Sequence, residues 1–262
     1  MFANERHQKI LARIKAKGAV TTAELIDTFG VSIETVRRDL LQLERGGQLQ
    51  RVHGGAVAPG GMRPYAQLPQ RLEANQDAKA EVAEIAAQLV EEDDIICIDS
   101  GSTAYFFAKA LFSRLSRLTV VTHSMDVFEI LSKKEGFRII LCGGCYNPQE
   151  KAFHGAITLD SLKQLHVQKA FLCPSAICLK TGIWDYDRDL TQVQKQLLSI
   201  CDQVYLLADS VKFETSALLK LCDTSPSHIY VTDSGLPAQY RQLYRDHERT
   251  VITCKDDIKK GI

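Results

Sequence analysis

The chain has 262 residues, of which 45% are hydrophobic, and its 32 basic residues balance 32 acidic ones. This length predicts one or two domains, and the composition excludes a disordered chain. No uncharged stretch exceeds 11 residues, short of the roughly 18 that a membrane span needs, and residues 1–10 lack the apolar core of a signal peptide, so we expect a cytoplasmic protein with no membrane partner.

Basic residues are concentrated near the beginning of the chain. Residues 1–57 hold nine Lys and Arg against six acids, whereas the remainder holds 23 against 26. A mildly basic piece on a mildly acidic body indicates a local anionic partner. Residues 58–74 are rich in Pro and Gly, as linkers are. We therefore predict a first domain over residues 1–57, a linker over 58–74 and a second domain over 75–262.

Three helices are predicted in the first domain. Apolar spacing predicts them over residues 4–17, over residues 23–29 and from residue 33 onward. Gly18 ends the first helix, and Ser32 caps the third. Thr21 or Thr22 caps the second, and Glu24 stands where a capping box needs an acid. The apolar stripe of the third helix is Ile33, Val36, Leu40 and Leu43. Two helices joined by a short turn that contains glycine form a helix-turn-helix. The third helix would then be the recognition helix, in the major groove of DNA.

Polar residues near the start of this third helix are candidates for DNA contacts. They are Ser32, Glu34, Thr35, Arg37 and Arg38. An Arg side chain can pair with a guanine edge or a phosphate oxygen, and hydroxyls can donate to phosphates. The pattern of residues 48–57 predicts a hairpin with a glycine tip, from which Arg51 and His53 project as a wing along the DNA. An arginine pair is also typical of a solvated helix face, so the prediction depends on the whole combination.

Three segments of this domain carry a family resemblance. They are residues 5–11 (ERHQKIL), 31–40 (VSIETVRRDL) and 51–56 (RVHGGA). In this order and spacing they resemble the signature of DeoR-family bacterial transcription regulators. The resemblance implies a winged helix-turn-helix that binds double-stranded operator DNA.

Apolar runs of strand length alternate with helical segments after residue 75. The predicted strands are residues 95–98, 118–122, 138–142, 169–173, 204–208, 229–232 and 250–253. This alternation predicts a mostly parallel sheet with helices on both faces. The predicted fold class is therefore α/β, with an N-terminal winged helix-turn-helix followed by an α/β domain.

Polar or glycine-containing turns follow three successive predicted strands. The residues concerned are Asp99, Ser100, Gly101, Ser102, Thr103, Thr122, His123 and Gly143, and Lys212 follows a later strand. In an open parallel sheet such turns lie together at the carboxyl ends of the strands. Backbone N–H groups, hydroxyls and a helix dipole can form an anion site there. Ser and Thr caps also begin helices that bind no ligand.

The same turns resemble the effector domain of the DeoR family, which is similar to the sugar-phosphate isomerase and CoA-transferase fold. The resemblance implies a repressor released by a phosphorylated sugar or a related metabolite. It implies that the residues of the 100–103 turn bind the phosphate, with Thr122, Gly143 and Lys212 nearby. His123 stands where Asn is common in the family, and residues 172–176 replace a glycine-rich stretch. Both departures would line the pocket and affect which ligand fits.

The sequence predicts neither a cofactor nor a metal. Cys142 and Cys145 have zinc or redox spacing, but one Cys-x-x-Cys is a weak signal, and we interpret the eight cysteines as buried thiols. No matched acid–base pair stands beside residues 99–103, so we expect no enzyme. We interpret the acids Asp185, Asp187 and Asp189 as a polar loop that contacts ligand hydroxyls.

We expect a homo-oligomer, either a dimer or a tetramer, because one small winged domain makes few base contacts. Two alternatives stay open at this point. The chain could be a sugar-phosphate isomerase-like enzyme with a DNA-binding appendage, or a regulator whose second domain binds no small ligand.

Overall fold

The computed structural model describes residues 2–17, 19–52, 54–59 and 65–259. The helices are α1 (Ala3–Lys17), α2 (Thr22–Phe29), α3 (Ile33–Arg45), α4 (Leu68–Glu73), α5 (Gln76–Ala87), α6 (Ser102–Arg114), α7 (Met125–Leu131), α8 (Ala156–Lys163), α9 (Arg188–Ser199), α10 (Ala238–Asp246) and α11 (Lys255–Lys259). A 3₁₀ turn spans Ser210–Lys212. Within the described ranges, none of the helices has the length and apolar character needed to cross a bilayer.

The strands fall into four sheets in the described part of the chain. They are β1 (Ala19–Thr21), β2 (Gln50–Val52), β3 (Gly55–Val57), β4 (Ile95–Ile98), β5 (Leu118–Thr122), β6 (Phe137–Leu141), β7 (Cys145–Asn147), β8 (Ala152–His154), β9 (Val167–Leu172), β10 (Ala176–Cys178), β11 (Gly182–Asp185), β12 (Cys201–Leu207), β13 (Leu219–Cys222), β14 (His228–Val231) and β15 (Thr250–Ile252).

Helices α1, α2 and α3 surround a small core of their own, to which Ile10, Leu25 and Leu40 contribute. An antiparallel sheet in the order β1-β3-β2 accompanies them. The three helices and the hairpin confirm the predicted winged helix-turn-helix, although Gly18 lies outside the described residues. Strand β1 was not predicted, because three residues are too few to show an alternation. Ile33 was wrongly placed in the apolar stripe: at the first position of α3 it is 43% exposed.

A parallel sheet forms the centre of the second domain. Over the described residues its strand order is β15-β14-β12-β9-β4-β5-β6, and all neighbouring strands run parallel. These are the seven predicted strands, with bounds that differ by up to three residues. The runs are apolar throughout because both faces are covered. Ile96 and Ile98 join one core with α5 and α6, while Cys97 joins the other with α8 and α9.

The strand order reverses between β4 and β9, which are neighbours in the sheet. From β4 the chain continues outward to β5 and β6, and from β9 it continues outward to β12, β14 and β15. In open α/β sheets, the crevice at the carboxyl ends of the strands at such a switch point is where ligands bind.

Helix α4 lies within the segment that was predicted as a linker. Its second residue is Pro69, and proline is tolerated in the first turn of a helix because the N–H it lacks would have no partner there. The backbone N–H of Gln67 donates to the Gln70 side chain at 3.2 Å. The Pro content of residues 58–74 therefore indicated a loop where the chain in fact begins a short helix.

Candidate functional site

The caps predicted from the sequence hold the helix-turn-helix in place. Thr21 and Glu24 form a reciprocal capping box at the start of α2, with distances of 2.9 and 3.1 Å. Gly30 ends α2 with a φ of +62°, which glycine adopts without the cost that a Cβ brings. Ser32 then caps α3 by accepting a hydrogen bond from the Thr35 backbone at 3.3 Å. The start of α3 is thus fixed relative to α2.

The candidate DNA-contacting residues of α3 lie on one exposed surface. Arg37 donates to Glu34 at 3.1 Å, but both side chains remain mostly exposed, at 61% and 75%. Such a surface ion pair is worth little and is easily exchanged for a phosphate. Arg38 is exposed and has no ion-pair partner among the residues that the structure describes. Thr35 is half-buried beside its cap.

The hairpin β2–β3 is anchored to the end of α3. Arg51 is half-buried, and both its backbone N–H and its guanidinium Nε donate to Glu44, each at 2.8 Å. The sequence led us to expect that Arg51 projects freely from the wing. It does not, because part of its guanidinium is engaged with Glu44. His53, the other predicted contact of the wing, lies outside the described residues.

A buried charged cluster joins α1 to α3. Arg6 donates to Asp39 from Nε at 2.7 Å and from Nη2 at 3.0 Å, and His7 Nε2 lies 3.1 Å from the same carboxylate. Burial acts to raise the pKa of Asp39, but the hydrogen bonds from Arg6 and His7 hold that pKa below its ordinary value. This cluster was not predicted from the sequence. The signal was available, because residue 39 falls on the same helical face as Val36 and Leu43.

A cleft of about 270 Å³ opens at the switch point of the large sheet. Ser102 lines it at the start of α6, and Ser175 lines it after β9. Gly101 precedes α6 with a φ of +104° and supplies no side-chain cap. The first N–H groups of a 13-residue helix are thus available at the cleft, where the helix dipole favours an anion. The hydroxyl of the neighbouring Thr103 is buried without a hydrogen-bond partner in the described residues.

Among the residues that the structure describes, three cationic side chains line this cleft, and only one of them was predicted. Lys212, which was predicted, donates to the Pro174 carbonyl at 3.0 Å. Lys79 is 2% exposed, donates to the Arg71 carbonyl at 2.8 Å and lies 3.9 Å from Asp209. Arg71 forms an ion pair with Glu150. Cations around a helix N-terminus form an environment suited to a phosphate.

Several predicted ligand residues lie beneath the cleft instead of lining it. Asp99 accepts hydrogen bonds from the backbones of Ser100 and Cys173 and from Gln194, at 2.7 to 3.0 Å. His123 is fully buried, with Nε2 at 3.1 Å from Asp99 and Nδ1 at 2.9 Å from the Phe153 carbonyl. Because these polar atoms are already engaged, the two side chains support the turn that precedes α6.

Thr122 and Gly143 are also positioned as supports. The Thr122 hydroxyl donates to the Ile98 carbonyl at 2.8 Å and accepts from the Ser124 backbone at 3.1 Å. The Gly143 carbonyl accepts from Thr158 at 2.9 Å. Neither residue lines the cleft.

The acids near the cleft differ in their environments. Burial raises the pKa of Asp185, which accepts hydrogen bonds from Gln194, Tyr186 and Ser175. Burial also acts to raise the pKa of Asp99, but the His123 side chain holds it below the ordinary value. Asp185 and Asp187 line the cleft, whereas Asp189 points elsewhere, with a side chain that is 64% exposed.

The cysteines show no common environment. Cys142 is buried, whereas Cys145 and Cys254 are exposed, so the expectation of uniformly buried thiols was wrong for these two. Cys145 lies on the outer hairpin formed by β7 and β8. All eight thiols are free.

Two family models match the chain. Residues 6–60 match the DeoR-like helix-turn-helix domain, and residues 74–234 match the DeoR C-terminal sensor domain. The chain belongs to the DeoR family. It is a DNA-binding transcriptional regulator, as the motifs of its first domain indicated.

Curated relatives of this DeoR-family regulator match it along nearly their whole length. An uncharacterized HTH-type transcriptional regulator of Bacillus subtilis is 34% identical, in an alignment that covers all of this chain and all of its own. The L-fucose operon activator of Haemophilus influenzae is 31% identical over 94% of this chain and 98% of its own. The glycerol-3-phosphate regulon repressor of Escherichia coli is 29% identical over 97% of this chain and all of its own. Both activators and repressors thus occur among its relatives.

A solved structure is also similar in part. Ribose 5-phosphate isomerase A from Neisseria gonorrhoeae aligns with 52% of each chain, with a TM-score of 0.40 and 18% identity.

One wall of the cleft in this DeoR-family chain was not predicted from the sequence. Tyr65, Gln70, Arg71 and Asn75 all line it, and all lie in or near α4. The Tyr65 hydroxyl donates to Glu150 at 2.8 Å, and burial together with this acceptor raises the pKa of Tyr65 to about 12. No local signal identified these residues, because their role depends on how the connecting segment folds back onto the second domain.

Proposed function

We propose that this protein represses an operon of carbohydrate metabolism and that a phosphorylated sugar, bound in the cleft, releases it from operator DNA. The observation that carries the proposal is the cleft itself, where the uncapped start of α6 meets Arg71, Lys79 and Lys212. The carboxylates Asp187 and Asp209 also line the cleft and can accept hydrogen bonds from sugar hydroxyls. The cleft thus offers cations and helix N–H groups to a phosphate and carboxylate acceptors to a polyol.

Relatives support the metabolic class. One acts on an L-fucose operon and another on a glycerol-3-phosphate regulon, as their names state. The second name joins a phosphate to a small polyol, which is the chemistry that the cleft suits. We extend this class to the present protein and place it in the cytoplasm with its operator.

By analogy with relatives that are named as transcriptional regulators, we assign this protein a role in binding and not in catalysis. Three carboxylates of the cleft are held by other groups: Asp185 accepts from three donors, Asp187 caps α9 and Glu150 pairs with Arg71. The ligand must bind more tightly to the arrangement that does not fit DNA, because a ligand with equal affinity for both states shifts nothing. Two or four copies present paired recognition helices to repeated half-sites.

Thermal unfolding in the presence of a panel of sugar phosphates and the corresponding free sugars tests the ligand half of this proposal. A compound at 100 times its Kd raises the free energy of unfolding by about 2.7 kcal/mol. We expect one or a few phosphorylated compounds to stabilise the wild type, with a much smaller effect on Ser102→Ala. The matched control is Ser113→Ala, at the exposed far end of the same helix. Equal stabilisation of both variants, or a response to free sugars alone, would contradict the proposal.

A further inference from the structure

We propose that Arg71 is a ligand-sensing residue. It leaves Glu150 to bind the phosphate in the cleft, and this exchange moves α4, the first helix after the DNA-binding domain. The inference rests on the proposed function, because it requires a phosphate at the start of α6. It adds a residue outside the predicted phosphate-binding turn and a route from the ligand to the wing.

The position of the Arg71 guanidinium is the first support. Its Nη1 lies 3.4 Å from the point where a Cβ on Gly101 would stand, so the guanidinium covers the turn that precedes α6. Its Nε is buried and has no hydrogen-bond partner in the described parts of the chain. A guanidinium that presents a spare donor beside a helix N-terminus can add a charge-assisted hydrogen bond to an oxyanion held there.

The present partner of Arg71 makes an exchange feasible. Glu150 has a side chain that is 5% exposed, and it holds both Arg71 and the Tyr65 hydroxyl. If Arg71 turns towards a phosphate, Glu150 retains its hydrogen bond from Tyr65. A sugar phosphate carries more negative charge than a carboxylate and has three acceptor oxygens, so it competes well for the guanidinium.

The connection to the DNA-binding domain is short. Arg71 lies on α4, and only residues 58–67 separate this helix from strand β3 of the wing. The wing also contacts the cleft directly, because Val52 lines it. In addition, the Gln50 side chain donates to the Phe213 carbonyl, next to Lys212. A shift of α4 against the cleft therefore acts on the wing through both the chain and the packing.

Calorimetric titration of the full-length protein with inorganic phosphate tests the exchange. We expect Arg71→Gln to weaken phosphate binding by about 10- to 100-fold, which is the effect of losing a charge-assisted hydrogen bond. We expect Glu150→Gln to strengthen binding, because Arg71 then has no competing partner. The control Arg138→Gln removes an exposed arginine on β6 and should leave the affinity unchanged.

The double variant distinguishes an exchange of partners from simple charge repulsion. If Glu150 acts through Arg71, then Glu150→Gln gives no gain in the Arg71→Gln background. An equal gain in both backgrounds would overturn the proposed exchange, since the carboxylate would then merely repel the anion. Glu150→Gln also keeps the test valid if Arg71→Gln folds poorly.

Hydrogen exchange of residues 65–75 supplies the second readout. Phosphate should alter exchange there in the wild type and leave it unaltered in Arg71→Gln. If Ser102→Ala weakens phosphate binding but Arg71→Gln binds phosphate as tightly as the wild type, the inference fails and the proposed function stands. If the wild type binds neither phosphate nor any sugar phosphate, both fail together.

Discussion

Arg6 and Asp39 form a buried, bidentate ion pair that links the first helix of the protein to its recognition helix. Their exposures are 6% and 3%, and the two hydrogen bonds measure 2.7 and 3.0 Å. Both residues lie within segments that resemble the DeoR signature. The ion pair thus gives a physical reason for an arginine at residue 6 and an aspartate at residue 39 within these segments.

Asp39→Asn should destabilise the DNA-binding domain. Removing one partner leaves a buried, uncompensated guanidinium, which costs about 3–5 kcal/mol. Urea denaturation followed by circular dichroism measures the loss. The control Asp27→Asn changes an exposed acid on α2 and should stay within about 0.5 kcal/mol of the wild type. Equal stability of the two variants would contradict a structural role for the pair.

The same pair predicts a pH dependence. The pKa of Asp39 is lowered in the folded protein, so its contribution to stability is complete above the unfolded value of about 4 and disappears as the pH falls through the lowered folded value. The difference in stability between the wild type and Asp39→Asn should be constant from about pH 5 to 7 and shrink at more acidic pH. A difference that grows on acidification would show that folding does not lower the pKa of Asp39.

The two glycines of the wing should respond differently to alanine. A Cβ on Gly55 would lie 1.9 Å from the Val20 carbonyl oxygen, so strand β1 would have to move. A Cβ on Gly54 would meet open space, although its φ of +76° costs a side chain about 1–2 kcal/mol. Thermal unfolding should therefore show a larger loss for Gly55→Ala than for Gly54→Ala. The reverse order would contradict the close approach of β3 to β1.

Arg38→Ala should weaken operator binding by about 10- to 100-fold, because a good arginine–base contact contributes about 1–3 kcal/mol of discrimination. Arg37→Ala should have a similar or smaller effect, since Glu34 already engages that side chain. Fluorescence anisotropy with labelled operator DNA measures both, with Arg138→Ala as the control. Unchanged affinity for both recognition-helix variants would remove α3 from the DNA interface.

Asp99→Asn should weaken the proposed ligand site, because Asp99 supports the turn that precedes α6. The carboxylate accepts from two backbone groups and Gln194 and faces His123, and an amide cannot accept at both of its polar atoms. We expect a loss of roughly 3 kcal/mol in the free energy of unfolding and weaker ligand binding. Asp160→Asn, which breaks an exposed pair with Lys163, should cost less than about 1 kcal/mol. Full stability of Asp99→Asn would contradict this role.

The sequence predicted what depends on local periodicity and caps. The seven parallel strands, the Ser32 cap and the Thr21–Glu24 capping box follow from such patterns. It did not predict what depends on tertiary packing. Asp99 and His123 were expected to face the ligand, but their distance in sequence gave no indication that they would bind each other. Arg71 was assigned to a linker because nothing local shows that α4 folds over the turn before α6.

We propose that a phosphorylated ligand in the cleft controls binding to DNA. The most direct measurement is the anisotropy of labelled DNA from upstream of the protein's own gene, bound by the full-length protein and then titrated with each sugar phosphate and its free sugar. We expect tight, salt-sensitive binding that one phosphorylated compound reverses and its unphosphorylated counterpart does not. DNA binding that no phosphorylated compound changes would contradict control by a phosphorylated ligand.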